Sequence, residues 1–185
     1  MKFLRFFLIL FISLTSSVKA DFNKKLFNQL RDGEKLIFIR HAYAPGSGDP
    51  SNFNLNDCST QRNLNEKGRK QAEYIGEFFR NKKIKIDQVL SSEWCRCKET
   101  AELAFTNFST NSFLNSFYSD KFAKNKNKQI NALNNYINKF KSNKNLVLIT
   151  HYVLISEVLN YGPSSGEIVV SDKNFNIIGT IETNY

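Results

Sequence analysis

The chain has 185 residues, 41% of them hydrophobic and 14% aromatic, which supplies one globular core and excludes a disordered acidic or basic tail protein. Its formal charge is +9, from 26 Lys and Arg against 17 Asp and Glu. Lys2, Arg5 and Lys19 all fall in the first twenty residues, where no acid stands, so the remaining chain carries +6.

Residues 1–20 read as an export signal. Basic Lys2 and Arg5 precede an apolar run from Phe6 to Leu14, a polar Thr15-Ser16-Ser17 follows, and Val18-Lys19-Ala20 is an A-x-A-like cleavage site. Cleavage is expected after Ala20, leaving 21–185 as a single domain with no stable membrane insertion. The apolar run of about nine residues is short of the roughly 20 that span a bilayer, although an uncleaved anchor is the competing reading. A periplasmic or secreted location follows. Cys58, Cys95 and Cys97 would then face an oxidising environment. Cys95 and Cys97 are too close for easy mutual bridging, so a bridge from Cys58 to one of them competes with three reduced thiols.

From Asp21 to Arg31, Phe22, Leu26, Phe27 and Leu30 recur at helical spacing, with Gly33 as the stop. Leu36-Ile37-Phe38-Ile39 is an unbroken apolar run, the pattern of a strand buried on both faces. Arg40 and His41 follow it directly. Residues 42–60, punctuated by Pro45, Gly46, Gly48 and Pro50, form a loop long enough to carry function. Asn65 is a cap for a helix reaching about Asn81, with Ala72, Ile75 and Phe79 inward. Gln88-Val89-Leu90 is a short strand. Ser91-Ser92 then offers an N-cap for a helix through Trp94, Arg96, Thr100 and Phe105.

Residues 107–120 are ambiguous, with Phe113-Leu114 a weak strand candidate. Ile130, Leu133, Ile137 and Phe140 place a helix over 126–141, and Leu146-Val147-Leu148-Ile149 is a third buried strand. Thr150-His151 leads into a helix bearing Leu154, Ile155, Val158 and Leu159. Two β-rich runs, 167–170 and 175–182, close the chain around a turn at 171–174. This order predicts an α/β protein: a three-layer α/β/α sandwich with a mostly parallel central sheet and a C-terminal β-hairpin.

Seven lysines and no acid lie between Lys121 and Asn145, so the basicity is one patch. They alternate with Asn rather than with Arg or aromatics, which argues against nucleic-acid binding; a solvated helix face is preferred over an anion-steering surface. The sequence holds two histidines, His41 and His151, each directly after a buried strand. Ligands of open α/β sheets bind beyond those strand ends. Arg96 falls in the first turns of a helix, where the positive helix end disfavours a cation unless an anion lies nearby. With Arg40 it offers two forked donors that suit a tetrahedral oxyanion.

Arg40-His41-Ala42 after its strand resembles the R-H-G or R-H-A signature of the histidine phosphatase superfamily, whose fold is called phosphoglycerate-mutase-like. Leu64-Asn65-Glu66-Lys67-Gly68-Arg69 is similar to that family's L-T-x-x-G-R helix start, with Asn replacing Thr. Ser91-Ser92 through Arg96 to Thr100-Ala101 matches its S-S-x-x-x-R-x-x-x-T-A segment, and Thr150-His151 its later histidine. The likeness spans about residues 35–170 and points to the small cap-less branch.

The resemblance implies hydrolysis of a small phosphorylated substrate through phosphohistidine on His41. Arg40, Arg96 and His151 would form the phosphate pocket, without metal or other cofactor. The family's acid is an Asp or Glu after the second arginine; Asp120 fits by order, with Glu93, Asp49 and Asp57 as competitors. Gln61 and Arg62 are candidate substrate-binding residues, and Trp94 a core or pocket-wall residue. Tyr152 follows His151 where many relatives have Gly. Competing readings are a mutase-type phosphotransferase, a non-catalytic phosphate binder, and a zinc site on the three cysteines and a histidine, whose Cys-x-Cys spacing is poor. The natural substrate and oligomeric state stay open.

Overall fold

The computed structural model describes residues 24–183, so the expected signal segment and Phe22 lie outside the described residues. Helix α1 covers 24–32 and Gly33 ends it, its amide donating to Gln29 O at 3.2 Å. Strand β1 (Leu36–Arg40) is followed by a long loop with one 3-10 turn at Cys58–Thr60, then helix α2 (Glu66–Asn81). Asn65 caps α2 as expected, accepting from Gly68 N at 2.9 Å. Next come β2 (Ile86–Ser91), α3 (Cys95–Phe105), β3 (Ser109–Thr110), a 3-10 turn at Ser112–Leu114 and the short α4 (Asp120–Ala123). Then α5 (Lys126–Lys139), β4 (Asn145–Thr150), α6 (Tyr152–Leu159), β5 (Ile168–Ser171) and β6 (Ile177–Ile181) complete the order.

The six strands form one sheet in the order β3-β2-β4-β1-β5-β6. β3, β2, β4 and β1 are mutually parallel, while β5 runs antiparallel to β1 and β6 to β5, giving the expected mostly parallel sheet with its hairpin at one side. Alternation along β1 builds two cores. Ile37 and Ile39 pack with Leu26, Leu30, Ile75, Phe79 and Ala101, beneath α1, α2 and α3. Leu36 and Phe38 face the other way, against Leu133 and Ile137 of α5 and Leu154 and Ile155 of α6. All six residues of β4 are buried, as its unbroken apolar run requires. Among the described residues no helix is long and apolar enough to cross a membrane.

Three local expectations are corrected. Phe113 and Leu114 lie in a 3-10 turn rather than a strand, because both are core-filling residues of the second face; Ser109–Thr110 pairs with β2 instead. Helix α3 begins at Cys95 with Trp94 as its unassisted N-cap, since the Ser92 hydroxyl is drawn into the site described below. The helix expected over 126–141 stops at Lys139, where Phe140 turns extended to enter the core.

Candidate active site

Parallel pairing places the carboxyl ends of β1, β2 and β4 side by side: Arg40 is level with Thr150, and Ser91 with Ile149. The chain beyond each end therefore opens on one rim. His41, Arg96 and His151 meet there, each buried, with the two imidazole ring centres 5.6 Å apart.

Their hydrogen bonds assign both tautomers. His41 Nδ1 donates to its neighbour's carbonyl, Ala42 O, at 2.8 Å, so Nε2 keeps a lone pair and accepts from Arg96 Nε at 3.2 Å. Arg96 Nη2 donates to His151 Nδ1 at 3.4 Å, which leaves the Nε2–H of His151 to donate to Ser92 Oγ at 2.8 Å. Ser92 then donates to Asn115 Oδ1 at 3.0 Å, and Glu93 accepts from the Asn115 amide. Burial first, and the Arg96 charge second, hold both imidazoles well below the ordinary histidine pKa. Both rings are neutral at pH 7.

Arg40 approaches from the other side. Its Nη1 donates to Pro163 O at 2.9 Å, its guanidinium lies 5.4 Å from the Tyr152 ring centre, and its buried Nε has no partner. Arg62 reaches the same cavity on two carbonyls of the long loop, Nε to Gly48 O at 2.8 Å and Nη1 to Ala44 O at 2.6 Å. The cavity has a volume of about 420 Å³ and is walled by Phe53, Trp94, Phe122, Tyr118 and Tyr152, with Lys121 at its edge. Phe53 stacks on Trp94 with ring centres 5.0 Å apart, so the only tryptophan is wall, as expected.

Two further ties fix the site. Thr100 Oγ1 donates to Arg96 O at 2.7 Å and accepts from Ala42 N at 3.0 Å, joining α3 to the residue after His41. Cys58 is joined to Cys95, which anchors the loop beside Arg96. Cys97 is reduced and buried, 3.5 Å from His151 Nε2, and burial pushes its thiol up to about 12. Two of the three cysteines weighed as zinc ligands are thus consumed. Among the described residues no group of three or more His, Cys, Asp or Glu side chains is arranged to hold a metal ion.

The acids and amides need correction. Asp120 is exposed at the start of α4; Ser119, Lys121 and Phe122 line the cavity and Asp120 does not, because successive helix positions turn by about 100°. Gln61 is also outside the lining. Its buried amide donates to Asn54 O and Leu55 O and accepts from Cys95 N, a structural clasp for the loop. Glu93 is committed to Asn115, and exposed Asp57 caps the 3-10 turn at Ser59. Asp49 alone among the carboxylates weighed lines the cavity. Its Oδ1 accepts from Arg96 Nη1 at 2.7 Å and from Arg62 N at 3.1 Å; its Oδ2 accepts from Arg96 Nη2 at 3.3 Å and from Trp94 Nε1 at 3.1 Å. Burial raises its pKa, but these donors outweigh that, and the carboxyl lies below its ordinary value. The anion demanded by Arg96 at a helix start is this carboxylate.

Asn115, Tyr118 and Pro163 carry no sequence signal for a place near the site, since they stand in segments with no regular pattern. Lys121 was visible as the first member of the basic run, without sign of its position.

Residues 36–114 match the family model described as histidine phosphatase superfamily (branch 1). The match covers less than half of the chain, from β1 to the 3-10 turn at Ser112–Leu114. It is 30% identical over 84 residues to the serine/threonine-protein phosphatase Pgam5, mitochondrial, of Drosophila willistoni, covering 45% of this chain and 25% of that protein. The chain thus matches a quarter of that relative's length. Among solved structures, the protein histidine phosphatase SixA complexed with tungstate superposes with a TM-score of 0.54 at 14% identity, over 80% of this chain and 97% of that one. A phosphoglycerate mutase from Thermus thermophilus does so with a TM-score of 0.56 at 16% identity, over 81% and 99%. These likenesses establish the phosphoglycerate-mutase-like fold.

Proposed function

We propose that the protein hydrolyses small phosphate monoesters through a covalent phosphohistidine on His41. The observation that carries this reading is the unprotonated Nε2 of His41, which accepts from Arg96 Nε beside a cavity lined by His41, Arg40, Arg62, Arg96 and His151. Nδ1–H is held by Ala42 O, so the lone pair on Nε2 is fixed in direction and the ring is neutral at pH 7. Nε2 attacks phosphorus, the ester P–O bond breaks, and water then breaks the N–P bond to release phosphate. Arg40 and Arg96 carry the charge on the three remaining oxygens, and neutral His151, whose Nδ1 accepts from Arg96 Nη2, orients that guanidinium. The cavity volume falls in the range of small-molecule sites, which favours a compact phosphorylated metabolite.

Export remains part of the proposal. It is supported by residues 1–20 and by the Cys58–Cys95 bond, a linkage typical of oxidising compartments. The intact mass of the protein recovered outside the cytoplasm should begin at Asp21.

The central test is rapid quenching with p-nitrophenyl phosphate. One phosphate per chain should appear on His41 and vanish in His41→Ala. Arg96→Ala should lower kcat/KM by about 10²–10³, as loss of a transition-state donor does elsewhere. A wild-type protein that binds phosphate yet never labels would be a binder rather than an enzyme.

A further inference from the structure

The reaction just described leaves an alkoxide or phenoxide without a proton, and Asp49 is the carboxyl that lines the cavity. It also stands in the way. Arg96 presents its Nη1 and Nη2 to the two Asp49 oxygens, so the fork required by a phosphoryl group already grips a carboxylate. Two other donors, Arg62 N and Trp94 Nε1, hold the same carboxylate independently of Arg96. The residue before it, Gly48, has φ +69°, and a Cβ built there would meet nothing within 4 Å, while its carbonyl accepts from Arg62 Nε.

We propose that Asp49 is a catalytic residue, displaced from Arg96 by the incoming phosphoryl group and then acting, from its remaining tethers, as proton donor to the leaving oxygen. This rests on the phosphohistidine reading above. The proton balance closes without a further reactant. A phosphomonoester monoanion enters and passes its proton to the displaced carboxylate. The Nε2–P bond forms as the ester P–O bond breaks, and Asp49 protonates the departing oxygen, releasing the alcohol. Water then forms a new P–O bond as the N–P bond breaks, giving one proton to Asp49 and leaving neutral His41 and HPO₄²⁻. That proton leaves to solvent when the carboxylate returns to Arg96. Losing Arg96 and gaining a neighbouring phosphate both push the carboxyl upward from its depressed resting value, the direction an acid needs.

The test compares wild type, Asp49→Asn and Asp49→Glu on p-nitrophenyl and phenyl phosphate, with Kd for inorganic phosphate measured by calorimetry. Asp49→Asn should lose about 10²–10⁴ in kcat/KM on phenyl phosphate but no more than roughly tenfold on the nitrophenyl ester, whose leaving group needs little protonation. Asp49→Glu, which keeps a carboxyl, should recover phenyl phosphate turnover. Inorganic phosphate should bind Asp49→Asn roughly tenfold more tightly, since a site filled by its own carboxylate binds with reduced apparent affinity. Equal slowing of both esters overturns the acid role, and unchanged or weaker phosphate binding overturns the displacement. If the Asn variant does not fold, wild type alone decides: a steep fall in kcat/KM from nitrophenyl to phenyl phosphate counts against an internal acid. The His41 label separates the two levels. Label present with equal slowing sinks Asp49 only, whereas wild type without label sinks the reading beneath it.

Discussion

His41 and His151 are the whole histidine content of the chain, and both are buried around one guanidinium. Their pKa values are lowered by burial and then by Arg96, so the native state refuses protons that the unfolded chain accepts below about pH 6.5. Stability from these groups is therefore complete above that pH and falls as pH drops toward the depressed native values. The loss is at most about 1.4 kcal/mol per pH unit for each ring. Thermal melts from pH 7.5 to 5 should show Tm declining with acid, and the decline should flatten in a His41→Asn, His151→Asn variant. A Tm independent of pH in wild type would contradict the burial argument. At this scale much was readable beforehand. Arg40, His41, Arg96 and His151 announced themselves by rarity and by position after buried runs or at a helix start. Asp49 stood only as one of several competing acids, Ser92 only as a helix cap and motif member, and Asn115 not at all, because loop side chains acquire partners only through contacts remote in sequence.

Elements position these side chains through close backbone approaches. Gly68, three residues into the α2 cap, packs so near the segment after His41 that a Cβ would sit 2.0 Å from Tyr43 O. Gly68→Ala should cost about 1–3 kcal/mol as overpacking, measured by urea unfolding, and should lower kcat because Tyr43 and Ala42 must shift. The Cys58–Cys95 bond ties the same loop to the start of α3, closing a separation of 37 residues. Replacing both cysteines by serine should cost about 3 kcal/mol and raise KM, with reducing agent giving the same change in wild type. Helices and buried strands were legible in the apolar spacing, and Asn65 was legible as a cap. The 3-10 turn at Ser112–Leu114 and the short α4 were not: apolar Phe113-Leu114 suits a strand or a turn, and only the second core face decides between them.

Across the whole molecule, the two ends of the sheet divide stability from chemistry. At the end where β1 and β4 begin, buried Asn145 accepts from Lys35 N at 3.0 Å and donates to Leu30 O at 2.7 Å and Lys85 O at 2.8 Å, binding three segments together. Asn145→Ala leaves these backbone groups short of partners and should cost about 3 kcal/mol, with kcat unchanged in the folded fraction. A kcat loss matching the stability loss would mean that the two ends are coupled. The layered α/β plan was legible from the order of apolar runs; the reversed direction of β5 was not, because a short apolar run reads alike in either sense. That reversal sets the beginning of β5 beside the cavity: Gly166 N donates to Arg40 O and His41 O, and the preceding Pro163 supplies the carbonyl that holds Arg40. The bend between β5 and β6 consequently emerges at the far side of the sheet. A fluorophore or affinity handle grafted at Lys173 would report on the protein without crowding its substrate, whereas the same graft at 163–166 would loosen the arginine grip and silence turnover.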